Sequence, residues 1–194
     1  FIDPDGQEWY YYRGGREKKA RWHFIKNTAS VSPFIGTTGL PVSLPQITVK
    51  GKVEALSFDG NMLSWHRKEG DTKEWRAVSG RLDETGKTQP QLQWKKDEGP
   101  IPESRYLVNP REIQNWADLS LLQKGAAYLR AIGIKAGPWP GGPPAWGEHR
   151  VPLYPSKVGN RSNFFIHGGS FPGSSGCIDL TNMANDFFQH LGNQ

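Results

Sequence analysis

His167 and the chain's only cysteine, Cys177, stand ten positions apart. A thiol beside an imidazole is the minimum equipment for nucleophilic acyl transfer. The imidazole takes the thiol proton, the thiolate attacks a carbonyl carbon, and the imidazolium returns its proton to the leaving group. Between the two, Ser170 to Gly176 holds three serines, two glycines and a proline, small residues that let a backbone bend tightly and approach a ligand. Taken singly, a lone cysteine is more often a small buried hydrophobe and a lone histidine a satisfied core residue. Their joint placement on a Gly/Ser loop is what points to catalysis.

The flanking elements must position this pair. Asn163 to Ile166 is a short aromatic and β-branched run, which predicts a buried strand with His167 at its end and a turn opening at Gly168 and Gly169. From Ile178 to Leu191 the apolar residues fall at roughly helical spacing and Gly192 supplies a stop, so Cys177 is expected near a helix N-terminus. A helix dipole and a neighbouring histidine would both draw the thiol below its free pKa of about 8.5. Backbone amides of Gly176 and Cys177 are then candidates for an oxyanion hole. With no third side chain evident to orient His167, a backbone carbonyl is expected to do so, that of Gly168. Ser174, Ser175 and Asp179 flank the cysteine as candidate substrate contacts. Arg150 lies in an extended run, His149 to Tyr154, where it suits either a substrate carboxylate or a surface ion pair. The chemistry requires neither metal nor cofactor.

The rest of the chain describes the scaffold. At 194 residues one domain with an appendage is expected. Eight Trp, nine Phe and six Tyr supply core, while 23 Gly and 15 Pro argue for short strands and many turns over a helix bundle. Lys52 to Phe58 and Met62 to Arg67 read as strands around a hairpin turn at Asp59, Gly60 and Asn61, with a third strand from Glu74 to Ser79. Asn109, Pro110 and Glu112 resemble a helix start, and the apolar spacing beyond them predicts a helix from about 110 to 132. The Pro/Gly/Trp stretch from Gly137 to Trp146 reads as a stiff loop able to wall a groove.

Net charge is 24 − 19 = +5, which favours anionic partners such as cell wall or nucleic acid. Aromatic and basic residues cluster between Trp9 and Arg21, but no nucleic-acid motif accompanies them and a solvated basic turn is the commoner origin, so no nucleic-acid partner is expected. Residues 37–45 read as a linker between an N-terminal segment, 1–50, and a catalytic domain, 51–194. No apolar run is long enough to span a membrane, no secretory signal layout is evident, and a start at Phe1 reads as a fragment or processed product.

Leu56 to Trp65, Ala77 to Gly80, Gly99 to Glu103 with Tyr106, Phe165 to Gly169, and Ser175 to Leu180 together resemble the type VI secretion L,D-transpeptidase effectors, relatives of the YkuD-type L,D-transpeptidases. The resemblance covers about residues 52–191 and is most specific around the histidine and cysteine. Ordinary cell-wall enzymes of this kind carry a second histidine where this chain has Ser175 and often an arginine where it has Asp179; both departures point to the effector branch. The resemblance implies a mainly β, L,D-transpeptidase-like catalytic domain, here with an inserted helix and a C-terminal helix. It also implies secretion by a producer cell through type VI delivery components, action in the periplasm of a target bacterium, attack on peptidoglycan tetrapeptide stems, and a cognate immunity protein. The competing expectations are a papain-like cysteine peptidase or amidase, disfavoured because histidine precedes cysteine here, and a non-catalytic cell-wall-binding module.

Overall fold

The computed structural model describes residues 45–50, 54–67, 70–129 and 137–193, together with the strand segments Glu8–Tyr11 (β1), Ala20–His23 (β2), Phe34–Ile35 (β3) and Pro41–Val42 (β4). Most of the basic run before Arg21 and of the linker expected over 37–45 lies outside the described residues. The chain divides into two compact units, 1–31 and 32–194. In the first, β1 and β2 pair antiparallel with Trp9 opposite Trp22.

The second unit is mainly β. Its strands are β5 (Gln46–Val49), β6 (Ala55–Phe58), β7 (Met62–His66), β8 (Thr72–Arg76), β9 (Val78–Ser79), β10 (Arg105–Val108), β11 (Gln114–Asn115), β12 (His149–Pro155), β13 (Phe164–His167) and β14 (Ile178–Asp179). β3 pairs separately with β4. The large sheet runs β8-β7-β6-β5-β10-β12-β13-β14-β9, with β11 added to β12. Its end strands β8 and β9 are separated in the chain only by Ala77, so the path returns on itself as a nearly closed barrel. The β6–β7 turn forms where the residue types require it: Asp59 Oδ1 accepts from the amides of Asn61 and Met62, and Gly60 takes φ +95°. β5 lies between β6 and β10, so the sheet takes in residues upstream of 51.

One face of these strands is the core. Strand alternation puts Ile47, Leu56, Trp65, Val151, Leu153, Phe164, Ile166 and Ile178 on it, each no more than 3% exposed. Full burial of such a side chain is worth about 1.5–3 kcal/mol. The C-terminal helix α3 (Ala184–Gly192) seals this face with Phe187, Phe188 and Leu191; Phe187 meets Trp75 edge-on at 5.2 Å, and Trp75 Nε1 donates to Asp186 Oδ2 at 2.6 Å.

The helix expected over 110–132 is not one element. Pro110–Glu112 is a single 3-10 turn, Gln114 and Asn115 join the sheet on β12, Trp116–Asp118 is a second 3-10 turn, and among the described residues of this stretch only Leu121–Tyr128 (α1) is α-helical. The glutamate meant to close a capping box at Asn109 is engaged elsewhere: the Asn109 side chain and the Tyr154 hydroxyl both donate to Glu112. The box that forms belongs to Ser120 and Gln123, and it starts α1.

Candidate active site

β12, β13 and β14 lie side by side, Arg150 opposite His167 and His167 opposite Asp179. The face turned from the core therefore carries Arg150 and Pro152 on β12, Phe165 and His167 on β13, and Asp179 on β14. Cys177 precedes β14 by one residue. With Ile178 registered to Ile166, the cysteine comes beside Phe165. The parallel pairing thus sets Cys177 beside the strand that ends in His167, and the Arg150 charge acts on both side chains.

His167 is 3% exposed, and its Nδ1 lies 2.6 Å from the Gly168 carbonyl oxygen. A carbonyl only accepts, so Nδ1 carries the hydrogen and Nε2 is left with a lone pair, the form a general base needs. Burial pushes the imidazole down to about 4, against the Gly168 hydrogen bond, and the Arg150 charge pushes it the same way as burial. The ring stays neutral at neutral pH. Gly168 must be glycine: a Cβ there would lie 2.5 Å from the Ala184 Cβ and 2.8 Å from the Thr181 carbonyl oxygen.

The helix expected from 178 does not begin there. Ile178 and Asp179 form β14, Thr181–Met183 is a 3-10 turn, and α3 starts only at Ala184, so Cys177 does not stand at the N-terminus of α3. Ile178 is claimed instead by its parallel partner Ile166, a long-range pairing that overrides local helical periodicity. The thiol is 7% exposed and burial pushes it up to about 12, opposed by the Phe165 amide and the Arg150 charge; Asp179 adds to the rise and Arg161 works against it. Its sulfur lies 3.8 Å from the Asn163 carbonyl oxygen. The resting pair is a neutral thiol and a neutral imidazole.

The loop between them is pinned by side chains expected to touch substrate. Ser174 Oγ donates to the Cys177 carbonyl at 2.7 Å and accepts from the amides of Gly80 and Gly176, both at 3.2 Å. The Gly176 amide, an expected oxyanion donor, is therefore committed to Ser174, and the Gly168 amide donates to the Trp146 carbonyl at 3.3 Å. Asp179 is fully buried, its two oxygens accepting from the amides of Gly173 and Thr181 at 3.0 and 2.8 Å, and burial raises its carboxyl to about 6. Asp179 thus closes the loop and presents nothing to solvent. Ser175 gives its carbonyl to Arg161 at 3.2 Å.

Arg150 is not on the surface. It is 6% exposed, its guanidinium carbon lying 4.2 Å from the Trp139 ring, 4.7 Å from Trp146 and 4.8 Å from Phe165, with Nε donating to Gln114 Oε1 at 2.8 Å. Among the described residues no carboxylate pairs with it. Burial lowers it to about 10, and the Cys177 thiolate would act to raise it. Trp139 and Trp146 come from the Pro/Gly stretch expected to wall a groove. Its short helix α2 (Gly142–Trp146) ends with Trp146 at 4.9 Å from the His167 ring, so the stretch covers the site. The sequence reading missed Arg161, whose turn between Val158 and Phe164 carries no pattern that marks it.

No family model matches the chain, and no curated protein matches it.

Proposed function

We propose that this chain is a cysteine L,D-carboxypeptidase and L,D-transpeptidase acting on peptidoglycan tetrapeptide stems. The observation that carries this reading is the β13–β14 pairing that sets Cys177 beside the strand ending in His167, which lies opposite Arg150 and has its imidazole anchored through Nδ1. When substrate reaches the site, Nε2 of His167 takes the Cys177 proton and the thiolate attacks the carbonyl that joins the L-centre of meso-diaminopimelate to terminal D-alanine. The backbone amide of Cys177 is the oxyanion donor left from the expected pair. Collapse breaks the C–N bond, the imidazolium protonates the amine, D-alanine leaves and a thioester remains on Cys177. Water then gives the tripeptide, and a D-amino acid gives an exchanged tetrapeptide.

Arg150 suits the terminal carboxylate of the departing D-alanine. A buried guanidinium with no carboxylate partner among the described residues gains a charge-assisted bond from an anionic ligand that aromatic rings alone do not supply. Stems so trimmed lose their donor function in crosslinking, which fits an antibacterial effector. In this reading type VI components deliver the protein to the target periplasm, and an immunity protein protects the producer.

A second reading, a non-catalytic cell-wall-binding module with a structural cysteine, draws on the burial of the thiol. Acid quenching during turnover of disaccharide tetrapeptide separates the two. A mass adduct on Cys177 equal to the substrate less D-alanine is expected, and an unmodified Cys177 alongside unchanged substrate would favour the binding module.

A further inference from the structure

Arg161 is a buried cation that the mechanism above does not use. It is 6% exposed, and its guanidinium carbon sits 5.4 Å from the Phe164 ring. Nη1 donates to the carbonyls of Gln93 and Pro100, and Nη2 to those of Gly99 at 2.8 Å and Ser175 at 3.2 Å. No carboxylate forms an ion pair with it among the described residues. Four carbonyls from two distant segments therefore converge on one planar fork, a geometry a lysine ammonium does not reproduce.

The segment gathered by Nη2 is the turn into the cysteine. The Ser175–Gly176 peptide group is held at both ends, its carbonyl by Arg161 and its amide by Ser174 Oγ, and Ser174 also holds the Cys177 carbonyl. Gly176 adopts φ +117°, and a Cβ there would lie 2.2 Å from Nη2. The glycine before the cysteine is thus the space the guanidinium occupies.

Resting on the reading of Cys177 as nucleophile, we infer that Arg161 is a positioning residue for it, clamping the 175–177 turn to the 93–100 loop so that sulfur and backbone amide hold one geometry toward the acyl carbon. Its charge also lies near enough to Cys177 to favour the thiolate. A misplacement of about 1 Å at a reacting centre costs about 100-fold in rate.

The test compares Arg161→Lys, which keeps charge and loses the fork, with Arg161→Gln, which loses both, each shown folded by cooperative thermal unfolding. On disaccharide tetrapeptide both are expected to lose about 100-fold in kcat with KM within about twofold. The pH midpoint of iodoacetamide alkylation of Cys177 should move upward in Arg161→Gln and less in Arg161→Lys. Methylguanidinium should restore part of the kcat lost in Arg161→Ala. If the glutamine and alanine variants do not fold, Arg161→Lys and Gly176→Ala decide, the latter expected to lose kcat as Arg161→Lys does. A folded Arg161→Lys protein with wild-type kcat, or losses that track only the unfolded fraction, overturns the inference. Alkylation needs no substrate: a shifted midpoint in Arg161→Gln, with no turnover of tetrapeptide by the unaltered protein, would keep the clamp and reject the proposed substrate.

Discussion

The two faces of β13 and β14 are built by opposite rules. On one, Phe164, Ile166 and Ile178 meet the tryptophans and α3 in a core of hydrocarbon and rings. On the other, also buried, stand Arg150, His167 and Asp179, with Cys177 one residue before β14. Burying such groups shifts each toward its neutral form and opposes folding, whereas the core face favours folding throughout. This arrangement, one side chain away from an ideal core, is what the proposed site requires, and the two faces should respond differently to the same kind of substitution.

The largest contrast lies in turnover. Cys177→Ala and His167→Ala are each expected to lower kcat by on the order of 10⁴-fold or more, while melting cooperatively close to the parent, because nucleophile and base act as a unit. Residual turnover within tenfold of the parent in steady-state assays would break the contrast. Next comes the opposite face: Ile166→Ala should cost about 2–5 kcal/mol in urea unfolding, with kcat of the remaining folded protein near normal. Arg150→Met sharpens the comparison further. Removing an unpaired buried charge while filling its volume should leave stability equal or higher by about 1 kcal/mol, yet lower kcat/KM by about 10- to 100-fold through the lost carboxylate contact. A marked loss of stability would make Arg150 a structural cation.

The smallest effect is in the pH dependence of stability. His167 titrates near 6.5 unfolded and about 4 folded, so between these values the unfolded state binds more protons and stability falls on acidification. Asp179 runs the other way: from 3.8 unfolded to about 6 folded, the native state binds more protons and stability rises on acidification. The two slopes oppose each other between pH 4 and 6. Relative to the parent, Asp179→Asn should therefore lose stability more steeply on acidification in this window, and His167→Gln less steeply. Denaturant midpoints at three pH values would show it, and parallel curves for all three proteins would contradict the assigned burial.

What was legible in the sequence was local. The hairpin at Asp59 to Asn61 is written in residues that cap their own turn, and the strand into His167 in three consecutive strand formers, Phe164, Phe165 and Ile166. The mainly β character followed from Gly, Pro and aromatic content. The misreadings share a cause: apolar spacing over 110–132 and 178–191 suits a helix, but Gln114 and Ile178 are claimed by strands distant in the chain, and no window of sequence records that claim. Arg161 is the extreme case, since its partners lie 14 to 68 residues away. Burial of the imidazole was equally invisible, because Trp146, whose ring lies 4.9 Å from that of His167, sits 21 positions before it.

The most direct measurement is mass spectrometry of disaccharide tetrapeptide and pentapeptide incubated with the protein, with and without D-methionine. Tetrapeptide should become tripeptide with one D-alanine released per stem, and D-methionine at millimolar concentration should divert the thioester to an exchanged tetrapeptide. Pentapeptide should be spared, because its last bond offers a D-configured donor carbonyl. Cys177→Ala should do none of this. Release of the whole peptide from the glycan, or cleavage between the two D-alanines, would contradict the account and place the chemistry of Cys177 and His167 on a different bond.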